Sequence, residues 1–131
     1  MPFTIDLVSP ERILFSGDVE SARLPALQGE MTILPGHAPR MAALTTGFLV
    51  IAAPGGEKRI LVQGGFADIG PQATTVLAER AIPAEEVDGA YFDREIARAE
   101  AAAAATEDPD AKEAANEVVF RLGDARAQMG L

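Results

Sequence analysis

Gly47-Phe48-Leu49-Val50-Ile51-Ala52-Ala53-Pro54-Gly55-Gly56-Glu57-Lys58-Arg59-Ile60-Leu61-Val62-Gln63 is the stretch that decides the fold of the first part of the chain. Its opening seven residues are a near-continuous apolar run, the pattern of a strand covered on both faces. Pro54-Gly55-Gly56 interrupts the run with the residue types that a tight hairpin requires, and residues 58–63 read as the return strand. The same texture extends outward in both directions. Phe3, Ile5 and Leu7 alternate with Thr4 and Asp6, which predicts a half-buried strand ended by Ser9-Pro10. Ile13-Leu14-Phe15 leads to an expected turn at Ser16-Gly17-Asp18, and residues 19–24 resume strand character. Further strands are expected at 31–34 and near 41–46. Gly64-Gly65 is expected to turn the chain into a strand at 66–69, Gly70-Pro71 turns it again, and residues 74–78 close the series. Short strands with turn signals every ~8–12 residues, and no helical pattern between them, predict an antiparallel sandwich or barrel rather than a parallel α/β sheet.

The texture changes near Pro83. Beyond it Ala, Glu and Arg dominate, and apolar residues fall at alternating steps of three and four. Gly89, Phe92, Ile96, Ala99 and Ala103 form one such seam. Ala111, Ala115, Val118, Leu122, Ala125 and Met129 form another, the spacing of two packed helices. Asp88 is placed to cap the first helix. Asp108 is placed to cap the second, with Pro109 at its first position, where a missing N–H costs nothing. The short connection at Thr106-Glu107-Asp108-Pro109-Asp110 makes the helices antiparallel neighbours. The expected fold class is therefore α+β: a β-sandwich over residues 1–84 and a two-helix hairpin over residues 85–131. A buried methylene contributes ~0.8 kcal/mol, and an Ala-rich seam buries few of them. The hairpin is expected to form readily and to move as a unit.

Composition narrows the function. The 131 residues carry a net charge of −9 and contain no cysteine and one histidine, His37. That balance argues against binding nucleic acid or an anionic membrane surface. It excludes disulfide and thiolate chemistry. No apolar run approaches the ~20 residues that span a bilayer, and residues 1–6 have no positively charged leader pattern, so the expected compartment is the cytoplasm.

No catalytic constellation is visible. Gly64, Gly65 and Gly70 match neither a phosphate-binding loop nor a dinucleotide fingerprint. No Ser sits in a Gly-x-Ser-x-Gly elbow that His37 could serve. Glu85-Glu86 are adjacent and do not face each other on a helix; they suit the positive end of the helix that follows. Leu34-Pro35-Gly36-His37-Ala38-Pro39 is stiff, with two prolines that fix φ, and reads as a sharp corner between strands.

Four segments together resemble a known family. Leu14-Phe15-Ser16-Gly17-Asp18-Val19-Glu20, Gly29-Glu30-Met31-Thr32-Ile33-Leu34-Pro35-Gly36-His37-Ala38-Pro39, Gly64-Gly65-Phe66 and Thr75-Val76-Leu77-Ala78-Glu79 occur in the order and spacing of the ε subunit of F-type ATP synthases, called δ in mitochondria. The resemblance implies a sandwich of about ten strands followed by a helical hairpin, with no active site of its own. It implies a place in the central rotor, coupling a proton-driven c-ring to the γ shaft. That place is peripheral, in the F1 sector at the cytoplasmic face of the bacterial inner membrane. By position, Glu30 matches an acidic loop residue that faces the c-ring, and Pro35, Gly36, His37, Ala38, Pro39 and Arg40 match rotor-contact positions. Thr32 stands where a glycine is common, and Arg40 where relatives are apolar.

The resemblance also raises ATP binding through an Ile/Leu-Asp-x-x-Arg-Ala motif at the hairpin. Asp88 matches that motif, but Tyr91 replaces the arginine, removing charge-assisted hydrogen bonds to phosphate. No cofactor is expected. Relatives that inhibit ATP hydrolysis do so with a basic second helix, which meets the α/β head. Here Lys112, Arg121 and Arg126 are outnumbered by Asp110, Glu113, Glu117 and Asp124, so weak or absent inhibition is expected. Two other readings compete: a free-standing sandwich that binds a ligand and dimerises through the hairpin, and a small hydrolase using His37.

Overall fold

The computed structural model describes residues 2–131, which fall into two compact units, one ending at Glu85 and one spanning Glu86–Leu131. In the first unit the described strands are β1 (Phe3–Val8), β2 (Ile13–Val19), β3 (Ser21–Ala26), β4 (Gly29–Ile33), β5 (Arg40–Leu44), β6 (Gly47–Ala53), β7 (Gly56–Ile69) and β8 (Ala73–Pro83). A one-turn 3-10 helix, Ala84–Glu86, follows β8. The second unit holds α1 (Gly89–Ala105) and α2 (Pro109–Gln128).

The α+β class and the order of sandwich, then hairpin, are as the sequence predicts. The described strands number eight, fewer than the about ten that the resemblance implies, and two of the strands expected from the sequence merge into one. Residues 58–63 and 66–69 belong to the single strand β7, and Gly64-Gly65 lies inside it. Leu44 pairs with Gly65 and Gly47 with Val62, so β5 and β6 hold one common register along β7. Thr45-Thr46 is the break between the two strands, where β7 passes from one partner to the next. Strands that change partner at such a corner let one hydrogen-bonded sheet fold over into two layers.

The turn expected at Ser16-Gly17-Asp18 is also absent. These residues continue β2, paired with Asp6, Ile5 and Thr4 of β1. Turn preference is a local bias, and a neighbouring strand that satisfies the backbone outweighs it. The chain changes partner at Glu20 instead, whose N–H donates to the Ala52 carbonyl of β6 at 2.7 Å. Nor is the sheet wholly antiparallel. β1 and β8 run parallel, from Thr4 beside Ala73 to Val8 beside Leu77.

The remaining pattern follows burial. Phe3, Ile5 and Leu7 point inward and Thr4 and Asp6 outward. All of Phe48, Leu49, Val50 and Ile51 are buried, as a strand covered on both faces requires. The Arg59 guanidinium supplies part of that cover, 4.3 Å from the Phe48 ring centroid, a cation–π contact of roughly 0.5–1 kcal/mol. One core cluster joins β1 to β8 through Ile5, Leu24, Ile33, Leu49, Ile69 and Val76.

Candidate interaction surfaces

Glu30 sits early in β4, opposite Pro25 of β3. Its carboxylate lies 3.5 Å from Arg23 Nε, with both side chains largely exposed. An exposed pair of this kind contributes ~0–1 kcal/mol and exchanges easily for a partner's charge. Pro35 and Gly36 lie beyond the far end of β4. About 13 Å of extended strand therefore separates Glu30 from Leu34, and the contiguous motif of the sequence becomes two separate places.

Leu34-Pro35-Gly36-His37 is a β-turn closed by the His37 N–H donating to the Leu34 carbonyl at 3.2 Å. Proline second and Gly36 third, at φ 83°, is the type II arrangement that needs a residue able to take positive φ. The Gly36 N–H donates to the Pro71 carbonyl at 2.8 Å, which pins this corner to the β7–β8 turn. His37 is half-buried. Its Nδ1 lies 2.7 Å from the Ala38 carbonyl; a carbonyl only accepts, so Nδ1 carries the proton. Ala38, Pro39 and Arg40 are exposed, and Arg40 opens β5. Among the described residues no group of His, Asp and Glu is placed to hold a metal ion.

Sequence reasoning missed the broadest surface. Residues opposite one another in a ladder share a face. Ala43 of β5 lies opposite Phe66 of β7, Phe66 opposite Leu77 of β8, Leu77 beside Val8 of β1, and Val8 opposite Ile13 of β2. These residues form an apolar stripe across the outward side of the sheet, with Phe66 and Leu77 each 56% exposed and Ile13 69% exposed. Met41 and Leu27 extend it, both 64% exposed. A groove of about 130 Å³ lies at that end, between Ala26-Leu27-Gln28 and Arg40-Met41-Ala42-Ala43. The signal was present as an error of parity. Phe66 and Leu77 occupy the positions of their strands where water, not the core, is expected.

The hairpin is built as its caps foretold. The Asp88 side chain accepts from the Tyr91 N–H at 2.8 Å, so the carboxylate matched to a nucleotide motif is engaged in starting α1. The Asp108 side chain accepts from the Asp110 N–H at 3.2 Å, with Pro109 opening α2. Two cations bind the helices to each other. Arg126 Nη1 donates to Asp93 Oδ1 at 2.6 Å, and Lys112 Nζ donates to the Ala103 carbonyl at 2.9 Å. The buried side of α1 holds Phe92, Glu95, Ala99 and Ala103, and that of α2 only Leu122 and Ala125. Ile96 is half-buried and Ala111 exposed, so the seam is narrower than its spacing predicts.

The model of the family described as "ATP synthase, Delta/Epsilon chain, beta-sandwich domain" matches residues 2–84. The chain belongs to this family. It is 42% identical to the ATP synthase epsilon chain of Parvibaculum lavamentivorans over 92% of each chain. It is 43% identical to that of Mesorhizobium japonicum over 92% of this chain and 90% of the relative. A chain of the Euglena gracilis mitochondrial ATP synthase (OSCP/F1/c-ring) has the same fold, with a TM-score of 0.75 at 20% identity, covering 98% of this chain and 81% of that one. A chain of the Tetrahymena thermophila mitochondrial ATP synthase central stalk and c-ring has a TM-score of 0.67 at 12% identity, covering 95% and 96%. As a member of this family the chain is an accessory subunit of an enzyme complex, not itself catalytic. No helix among the described residues is long and apolar enough to cross a membrane.

Proposed function

We propose that this chain is the ε-type rotor subunit of a proton-translocating ATP synthase, where it couples the c-ring to the γ shaft without chemistry of its own. The observation that carries this reading is the apolar stripe from Ala43 to Ile13, in a chain whose family is ATP synthase delta/epsilon. Exposed apolar rows of this extent mark protein interfaces, and the γ subunit is the partner the stripe is assigned. Glu30, weakly held by Arg23, is assigned to a basic loop of the c-ring. The pinned corner from Pro35 to Arg40 provides a rigid second contact with the rotor. The sandwich over residues 1–84 is the rotor-contact part and residues 85–131 the regulatory part, with at most weak inhibition of ATP hydrolysis through the α/β head. The complex holds the chain peripherally, in the F1 sector at the cytoplasmic face of the bacterial inner membrane.

Co-expression with the γ subunit of the same complex tests this. The expected result is a one-to-one complex that Phe66→Asp with Leu77→Asp abolishes while the variant keeps its fold by circular dichroism. A chain that ignores γ and forms a stable oligomer alone would instead favour the free-standing binding module.

A further inference from the structure

The stripe is not bordered evenly. One pair of positions along the ladders from it, on the same outward face, Asp68 of β7 lies opposite Thr75 of β8, Thr75 beside Asp6 of β1, and Asp6 opposite Ser16 of β2. One further step along β2, Asp18 lies opposite Thr4 on the same face. On the other side of the stripe Glu79 follows Leu77 at the next outward position of β8 and is exposed. None of the ladder positions just named carries a Lys or Arg. β1 and β2 contain no Lys or Arg, Arg40 lies opposite the buried Ile69 rather than on this face, and Arg80 falls on the opposite parity from Glu79. Asp6 receives the Ser16 hydroxyl at 2.6 Å, a hydrogen bond that orients the carboxylate and leaves its charge uncancelled.

We infer that this face is built for a partner whose apolar ridge is bordered by Lys and Arg side chains, so that Asp6, Asp18 and Asp68 steer and register the partner while Phe66 and Leu77 hold it. The inference rests on the rotor-subunit reading, which makes that partner the γ subunit, and it specifies the chemistry of γ's facing strip. A second copy of this chain does not fit. Two such faces would bring like carboxylates together, and like charges across an interface are strongly disfavoured. Opposite charges at a rim act mainly on the encounter: they raise the association rate, and salt screens them within about 8–10 Å at physiological strength.

The test uses the full chain and purified γ, with association and dissociation rates measured over a series of salt concentrations. For the unaltered chain, association is expected to slow steeply as salt rises. Asp6→Asn, Asp18→Asn and Asp68→Asn combined are expected to slow association about 10-fold at low salt, leave dissociation nearly unchanged, and converge with the unaltered chain at high salt. A complex that forms with a salt-independent rate overturns this inference and leaves the rotor reading standing. Faster association by the Asn variant also overturns it, because γ's strip would then be acidic. Failure of the unaltered chain to bind γ overturns the rotor reading itself. The salt series on the unaltered chain decides the matter even where the triple variant folds poorly.

Discussion

Gly65 shows what a single missing side chain does in this sandwich. A Cβ there would stand 2.1 Å from the Leu77 carbonyl oxygen and 2.8 Å from the Ala78 Cα, on a backbone with φ of +126°. Both obstacles are backbone of β8, paired to β7 on either side of the contact, so neither can yield without breaking the ladder. Gly65→Ala is therefore expected to cost roughly 3–5 kcal/mol, from a strained φ together with overpacking. Urea denaturation followed by circular dichroism would read this as a lower midpoint at constant slope. The neighbouring Gly64 is less constrained, because its Cβ would first meet the Glu79 carboxylate at 2.9 Å, the end of a flexible exposed side chain. Gly-Gly in the sequence announced a special backbone position but not its kind. A turn and a close strand-to-strand approach demand the same residue, and only the partner strand distinguishes them.

At the scale of elements, the hairpin and the sandwich differ in what holds them. The sandwich buries large aliphatic side chains from each of its layers. The hairpin buries mostly alanines with Phe92 and Leu122 and relies on caps and on the Arg126–Asp93 pair. Each N-cap is worth about 1 kcal/mol, which stabilises a helix end but does not anchor the hairpin as a body. Amides of α1 and α2 are accordingly expected to exchange with deuterium well before those of β1, β6 and β7. Equal protection in both units would show that the hairpin opens only with the whole protein. The caps were legible in the sequence because a cap is local: Asp88 and Asp108 act on amides two or three residues away. The parallel pairing of β1 with β8 was not legible, since alternation of apolar residues records which face a strand buries and carries no information about its direction.

For the whole molecule, charge separates the two parts. Residues 85–131 hold 12 of the 20 acidic and 5 of the 11 basic residues, and so carry −7 of the net −9. A hairpin of that sign is poorly suited to approach an acidic partner or a polyphosphate. With Asp88 occupied as a cap and Tyr91 where an arginine would meet phosphate, ATP is not expected to bind. The thermal midpoint of the full chain should stay unchanged at millimolar ATP, whereas a ligand present well above its Kd would raise it. A clear rise would restore a nucleotide-sensing role to the hairpin. The sandwich, with 8 acidic and 6 basic residues over positions 1–84, has little net charge. Its electrostatic character comes from where the carboxylates lie rather than from their number.

The sequence alone determined the α+β class, the break near Pro83, the helix caps, and the stiffness of the Leu34-to-Pro39 corner. Each of these depends on residues close together in the chain, where period, capping and proline geometry act directly. Tertiary structure decided the rest. It made one strand of residues 56–69, divided the Gly29-to-Pro39 motif between the two ends of β4, and assembled Ala43, Phe66, Leu77, Val8 and Ile13 into one stripe beside Asp6, Asp18 and Asp68. The physical reason is that a sheet face is a property of register. Its members come from strands distant in the chain, and only hydrogen-bond pairing aligns them.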